Sequence, residues 1–210
     1  MLFRSLGRAG HGDEALTNLE TACADLDDID DPALVGRAFD HLAVRQCAAG
    51  SHEQSLITMR RAFAAIGVLR DENALAPLHI HRAGILREVG RAGEGLADTA
   101  AAMRIANATN DAYALSVALW VAANLREDIG DMEGALADRD AELALLQELG
   151  NQRNTAGAEA ARARILNSLG RTEEARQAAD HARAAAESCC DAVLAAAIDR
   201  DLQALEAATD

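Results

Sequence analysis

The stretch "LREDIGDMEGAL", Leu125 to Leu136, carries a polar segment into a lone glycine and then restarts with an acidic residue and a small-plus-leucine pair. The same punctuation recurs as "GHGDEAL" from Gly10, "GSHEQSL" from Gly50, "GRAGEGL" from Gly90 and "GRTEEAR" from Gly170. The glycines therefore step by 40 residues. A fixed period of this length marks an array of like units, each too small to bury its apolar face alone and stacked on its neighbours to do so.

Other columns keep the step. Asp31, Asp71, Asp111, Asn151 and Asp191 each precede an alanine-rich run, and Pro32 follows the first of them. These are helix N-cap signals, with proline at a favoured first helical position. Ala43, Ala83, Ala123 and Ala163 form a column of small residues, where two helix backbones can approach. A second small column, Ala15, Ser55, Gly95, Ala135 and Ala175, is followed by Leu16, Leu56, Leu96 and Leu136 in its first four members. Each unit reads as a first helix of about 17 residues, a glycine turn, a second helix of similar length and a polar link. At the turn, glycine takes the left-handed conformation that closes a helix. Asp13, Glu53, Glu133 and Glu173 then stand in the first turn of the next helix, where its dipole favours them. Gly93 holds that position in the repeat from Gly90 and weakens the helix start there.

Composition agrees with an all-α fold. Of 210 residues, 50% are hydrophobic but only 2% aromatic, and there are just two prolines. A core of alanine, leucine and valine suits closely spaced helices better than a sandwich of strands. The expected organisation is one helical-repeat domain over 1–210. It comprises a partial repeat over 1–30, full repeats over 31–70, 71–110, 111–150 and 151–190, and a capping helix over 191–210.

The helical pair, its glycine turn, the acidic start and the small-leucine pair resemble the tetratricopeptide repeat (TPR). A further alanine column strengthens the resemblance, at Ala22, Ala62, Ala102 and Ala182, with Glu142 departing from it. The period exceeds the family's common 34 residues, and the usual aromatic pair of the first helix is absent. The 40-residue form is similar to the sensor arrays of large bacterial transcriptional activators and signalling ATPases. The resemblance implies an α-α superhelix of antiparallel helix pairs whose first helices line a concave groove for a protein or peptide. The first-helix segments carry a net charge of −1 and the remainder from Gly10 onward −15, so most of the acidity is expected on the back.

Counting back from each turn glycine selects the groove-facing residues. They include Arg37, Asp40, Val44 and Cys47, then Ile80, Gly84, Arg87 and Glu88. Next come Val117, Trp120, Asn124, Glu127 and Asp128, and finally Ala160, Arg164 and Asn167. Trp120 reads either as an exposed anchor or as inter-repeat core. Asn124 and Arg164 occupy matching phases in successive repeats. Family members that grip a peptide carboxylate use asparagines and an arginine at that phase, together with lysines. Here Val44 and Gly84 take the earlier asparagine positions and there is no lysine, all 20 basic residues being arginine. Arg87, Asn124 and Arg164 are expected to form a softer stripe for hydrogen-bond acceptors.

Several function classes are excluded or disfavoured. The net charge of −14 opposes direct binding of nucleic acid or an anionic membrane. No phosphate loop with lysine, no GxSxG and no HExxH is present, so no catalytic residue and no cofactor is expected. His79 and His81 lie two apart on a helix and point to nearly opposite sides, and no third ligand column supports a metal. Cys23, Cys47, Cys189 and Cys190 form no CxxC pair and read as reduced thiols of a cytoplasmic protein. Residues 1–9 read as the tail of a first helix. An array with an uncovered N-terminal face gives the alternative reading, a structural module that pairs with a second copy of itself.

Overall fold

In the computed structural model, the structure describes residues 12–24, 26, 29–69, 72–189 and 192–207. Among these residues there is no strand. The helices are α1 (Gly12–Ala24), α2 (Pro32–Ala48), α3 (His52–Gly67), α4 (Leu75–Glu88), α5 (Ala92–Thr109), α6 (Ala112–Asp128), α7 (Met132–Glu148), α8 (Gln152–Ser168), α9 (Thr172–Ser188) and α10 (Ala192–Ala207). The chain divides into two compact units, Met1–Thr109 and Asn110–Asp210. In the first, α2 pairs with α3 and α4 with α5, while α4 also packs on α2 and α3, and α1 on α2. In the second, α6 pairs with α7 and α8 with α9; α7 also packs on α8, and α10 on both α8 and α9.

The starts and stops follow from the polar columns. The Asp31 carboxylate accepts the Leu34 N–H at 3.0 Å, Asp111 that of Ala114 at 2.9 Å and the Asn151 amide oxygen that of Asn154 at 3.2 Å. Each satisfies a donor that the helix itself leaves unpaired, a contribution of about 1 kcal/mol. Asp131 caps α7 in the same way, through Gly134 at 3.0 Å. At the first-helix ends, Gly50, Gly90, Gly130 and Gly170 have φ between 73° and 83°. At Gly130, its own N–H donates to the Glu127 carbonyl (3.1 Å) and the next N–H, of Asp131, reaches back to that of Arg126 (2.9 Å). This double closure ends a helix in one residue and turns the chain. Gly150 (φ 62°) and Asn110 (φ 54°) take left-handed conformations just beyond the second helices α7 and α5, outside the sequence columns.

One element starts later than its phase implies. α4 begins at Leu75, after a 3-10 turn over Glu72–Ala74, whereas α2, α6 and α8 begin directly behind their caps. Pro77 lies in the first turn of α4, where its missing N–H leaves no gap in the helix ladder. Helix α5, whose first turn holds Gly93, still begins at Ala92 and runs 18 residues. The cap residues Asp71 and Asp191, the turn at Gly10 and the stub over 1–9 lie outside the described residues.

The small columns sit at the helix contacts. Ala43, Ala83 and Ala123 are fully enclosed, and so are Ser55 and Ala135 in the second column. Ser55 Oγ donates to the Ala43 carbonyl at 2.7 Å, a bond that requires two small residues face to face. Around this contact the first unit gathers Phe39, Leu42, Met59, Ile66, Leu78 and Ile85. The second gathers Leu136, Ile165, Leu166 and Ile198 with a larger share of alanine.

Candidate functional site

In the second unit, the first helix of one repeat and that of the next bring predicted residues to one place. α6 carries Asn124 and Glu127, and α8 carries Arg164. Arg164 Nη2 lies 3.3 Å from Glu127 Oε2, the carboxylate three residues beyond Asn124. A fourth side chain, absent from the sequence expectation, organises them. Arg139 of α7 is the largest fully buried side chain among the described residues. Its Nη2 donates to Asn124 Oδ1 at 2.7 Å and to Glu127 Oε1 at 3.4 Å, and its Nη1 to Glu142 Oε2 at 2.8 Å. Its Nε is buried without a hydrogen-bond partner. Burial pushes the Glu142 carboxyl above its ordinary range, and the charge and hydrogen bond of Arg139 pull against that without cancelling it.

The signal that could have found Arg139 was present in the sequence. Its column reads Met59, Thr99, Arg139 and Ala179, and the Glu142 column reads Ala62, Ala102, Glu142 and Ala182. Two opposite charges three residues apart on a helix share a face. Here both replace small or apolar residues on the buried face.

The remaining predicted residues are distributed as follows. Trp120 and Asn167 are half-buried in the second unit, and Asp128 is exposed there with an interaction of its own. In the first unit Arg37 is exposed, and Arg87 is half-buried and engaged in an interaction. Asp40 is buried, with both oxygens 2.8 and 2.9 Å from His81 Nδ1. The first unit also holds a second polar group. Asp98 receives Arg82 in a bidentate grip, at 2.7 and 2.5 Å, and lies 2.7 Å from His79 Nδ1. Burial works to raise the Asp98 carboxyl, but the hydrogen bonds from His79 and Arg82 outweigh it and hold the group below its ordinary value. Arg82 also lies over the Phe63 ring at 4.2 Å, and His79 meets that ring edge-on at 4.9 Å. His79 and His81 thus serve different partners on different helices, α5 and α2.

Cys47 Sγ lies 3.6 Å from His52 Nδ1, the pairing that activates a nucleophilic thiol when the thiol is easily ionised. Burial and then the Glu88 charge push the Cys47 thiol up to about 11, the opposite of activation. Among the described residues, no three His, Cys, Asp or Glu side chains are grouped to hold a metal ion.

Comparison with solved structures settles the fold. The aspartyl phosphate phosphatase F of Bacillus subtilis superposes with a TM-score of 0.79 over 93% of this chain, at 13% identity. A Rap protein complexed with competence and sporulation factor gives 0.78 over 88%, at 17% identity. The nearly identical TPR-like repeats of a Podosopora anserina chain described as a kinesin light chain give 0.71 over 89%, at 15% identity, and 93% of that chain is covered. The fold is a TPR-like helical solenoid. The chain spans 56% and 51% of the first two proteins, so the likeness concerns about half of each. No family model and no curated protein matches the sequence. Within the TPR-like fold, Asn124, Glu127 and Arg164 stand on successive first helices of the second unit, and Arg139 stands on the second helix between them. No helix among the described residues is long and apolar enough to cross a membrane.

Proposed function

We propose that this chain is a non-catalytic scaffold that binds an extended protein or peptide segment along the first-helix surfaces of its repeats. One observation carries the reading. The buried guanidinium of Arg139, on α7, holds Asn124 directly and Arg164, one repeat on, through Glu127. A polar surface fixed from beneath loses little freedom when a ligand arrives, which favours recognition of a defined segment. Trp120 lies one helical turn before Asn124 and supplies the apolar contact beside it.

Two further features support a regulatory setting. The 40-residue period is similar to that of sensor arrays in bacterial transcriptional activators, and one fold neighbour is described as a complex with competence and sporulation factor. The partner is therefore taken as protein or peptide, with no direct contact to nucleic acid, in keeping with the charge of −14. Cys23, Cys47 and Cys189 are free thiols, which fits a reducing, cytoplasmic compartment.

The test is selection from a displayed library of random heptapeptides, followed by titration of the selected peptides with Trp120 fluorescence as the reporter. Arg164→Ala is expected to weaken these peptides about tenfold, the loss of one charge-assisted bond. Trp120→Ala, followed by calorimetry, is expected to do at least as much while helicity is retained. Full affinity in both variants would overturn the site.

A further inference from the structure

We propose that Arg139 is a positioning residue. Its buried guanidinium fixes the Asn124 amide with the NH2 group turned outward, so that this surface donates to a neutral acceptor, the main-chain carbonyl of a bound peptide. The identity of the ligand group rests on the peptide-binding reading above. The orientation of Asn124 does not.

The two ends of an asparagine amide differ only by chemistry, and here chemistry decides between them. A guanidinium can only donate, so the Asn124 atom 2.7 Å from Arg139 Nη2 must be the oxygen. The NH2 group then faces away from Arg139, and no bond to it is found among the described residues. Arg139 has no freedom to leave. Its side chain is 1% exposed, and it is held at its other nitrogen by Glu142 at 2.8 Å.

The remaining repeats show that the fold does not need this pair. Where the third repeat has Arg139 and Glu142, the others have Met59 and Ala62, Thr99 and Ala102, and Ala179 and Ala182. Burying an ion pair carries a desolvation cost that apolar residues avoid. The one repeat that bears it is also the only one with an amide at the Asn124 position, since Val44, Gly84 and Arg164 stand there in the others. The pair and the amide occur together, as a device and the group it serves.

Charge identifies the acceptor. Glu127 lies within reach of both Arg139 and Arg164, and Glu142 accompanies Arg139, so two cations meet two anions. The Arg164 charge is already answered by Glu127. A ligand carboxylate would meet that anion, whereas a main-chain carbonyl accepts from Asn124 Nδ2 without opposing it.

The decisive variant is the pair Arg139→Met with Glu142→Ala, which gives the third repeat the Met59 and Ala62 of the first. It is expected to fold, and Trp120 fluorescence and circular dichroism verify this in the full chain. The first readout needs no ligand: the 15N heteronuclear NOE of the Asn124 side-chain NH2, assigned by its loss in Asn124→Ala. A rigid signal in the wild type should fall to values of a freely rotating side chain in the double variant, and Arg139→Lys should restore it in part. The second readout uses heptapeptides selected on the wild-type protein. The double variant should weaken them about tenfold and add nothing further in the Asn124→Ala background, and amidating their C-termini should leave wild-type affinity unchanged. A rigid Asn124 NH2 in the double variant, or an equal loss in the Asn124→Ala background, would overturn the positioning role. A large loss on amidation would overturn the neutral acceptor. If no heptapeptide is selected, the peptide reading fails, and the NOE still decides the role of Arg139.

Discussion

The two units share a backbone frame and differ in what they bury. In the first, the carboxylate of Asp98 is held by Arg82 and His79 strongly enough that its proton affinity falls despite burial. In the second, Glu142, Asp138 and Glu159 are all pushed upward, because burial exceeds what Arg139, Arg126, Arg162 and His181 return. A buried charge met by enough donors secures the fold, and one met by too few is retained for another reason or tolerated. The second unit therefore carries the strained polar groups, and it is also where the candidate binding residues converge. Comparison of the two units separates buried carboxylates that are fully met by donors from those that are not.

The sharpest way to break this comparison is to remove one partner of the buried pair. Arg139→Met leaves Glu142 enclosed without a cation and should cost the second unit ~3–5 kcal/mol, reduced by whatever relief the carboxyl finds in taking a proton. Denaturant unfolding followed by Trp120 fluorescence reads this unit directly, because Trp120 is the only tryptophan and lies in α6. Adding Glu142→Ala should return most of the loss. If the single and double variants unfold alike, the pair is not coupled.

A smaller effect tests the shared frame. Ala83 in the first unit and Ala123 in the second are both fully enclosed at the same phase. Ala83→Leu and Ala123→Leu should each cost ~1–3 kcal/mol, since either forces branched atoms between closely packed helices. Hydrogen exchange localised to α4 and to α6 distinguishes the two. A much cheaper substitution in one unit would show that the frame is not equally tight.

How much of this was legible in the sequence depended on distance along the chain. The glycine column, the caps at Asp31, Asp111 and Asn151 and the enclosed alanines are local or periodic, and a 40-residue step exposes them without any knowledge of packing. Asn124 and Arg164 were reached by the same counting. The partners of these groups were not. Arg139 lies on the second helix, 15 residues from Asn124, and His81 meets Asp40 from 41 residues away; both pairings depend on the register between helices, which periodicity leaves open. Glu142 shows what was available, since its departure from an alanine column was visible and only its meaning was missing. The delayed start of α4 was hidden for a related reason, because Pro77 allows a helix start without fixing where it falls.

The last and smallest effect carries opposite signs in the two units. Asp98 has a folded-state value below its unfolded one, so its contribution is complete above about pH 4 and is lost as pH falls through the lower, folded value. Glu142 is raised, so the folded second unit takes up a proton at a pH where the unfolded chain does not. Its contribution is complete below about pH 4 and is lost as pH rises through the higher, folded value. Titration downward from neutrality should therefore first strengthen the second unit and leave the first unchanged, and further acidification should weaken the first. Denaturant midpoints from Trp120 fluorescence follow the second unit, and hydrogen exchange in α4 and α5, corrected for intrinsic rates, follows the first. Other carboxylates titrate over the same range, so the informative quantity is the change each substitution makes to its own unit. Glu142→Gln should flatten the acid-side gain of the second unit, and Asp98→Asn the acid-side loss of the first, neither altering the slope of the other. Equal slopes in both units, unaffected by either substitution, would mean that the polar groups of α5 and α7 are solvated alike and that the contrast between them has no thermodynamic weight.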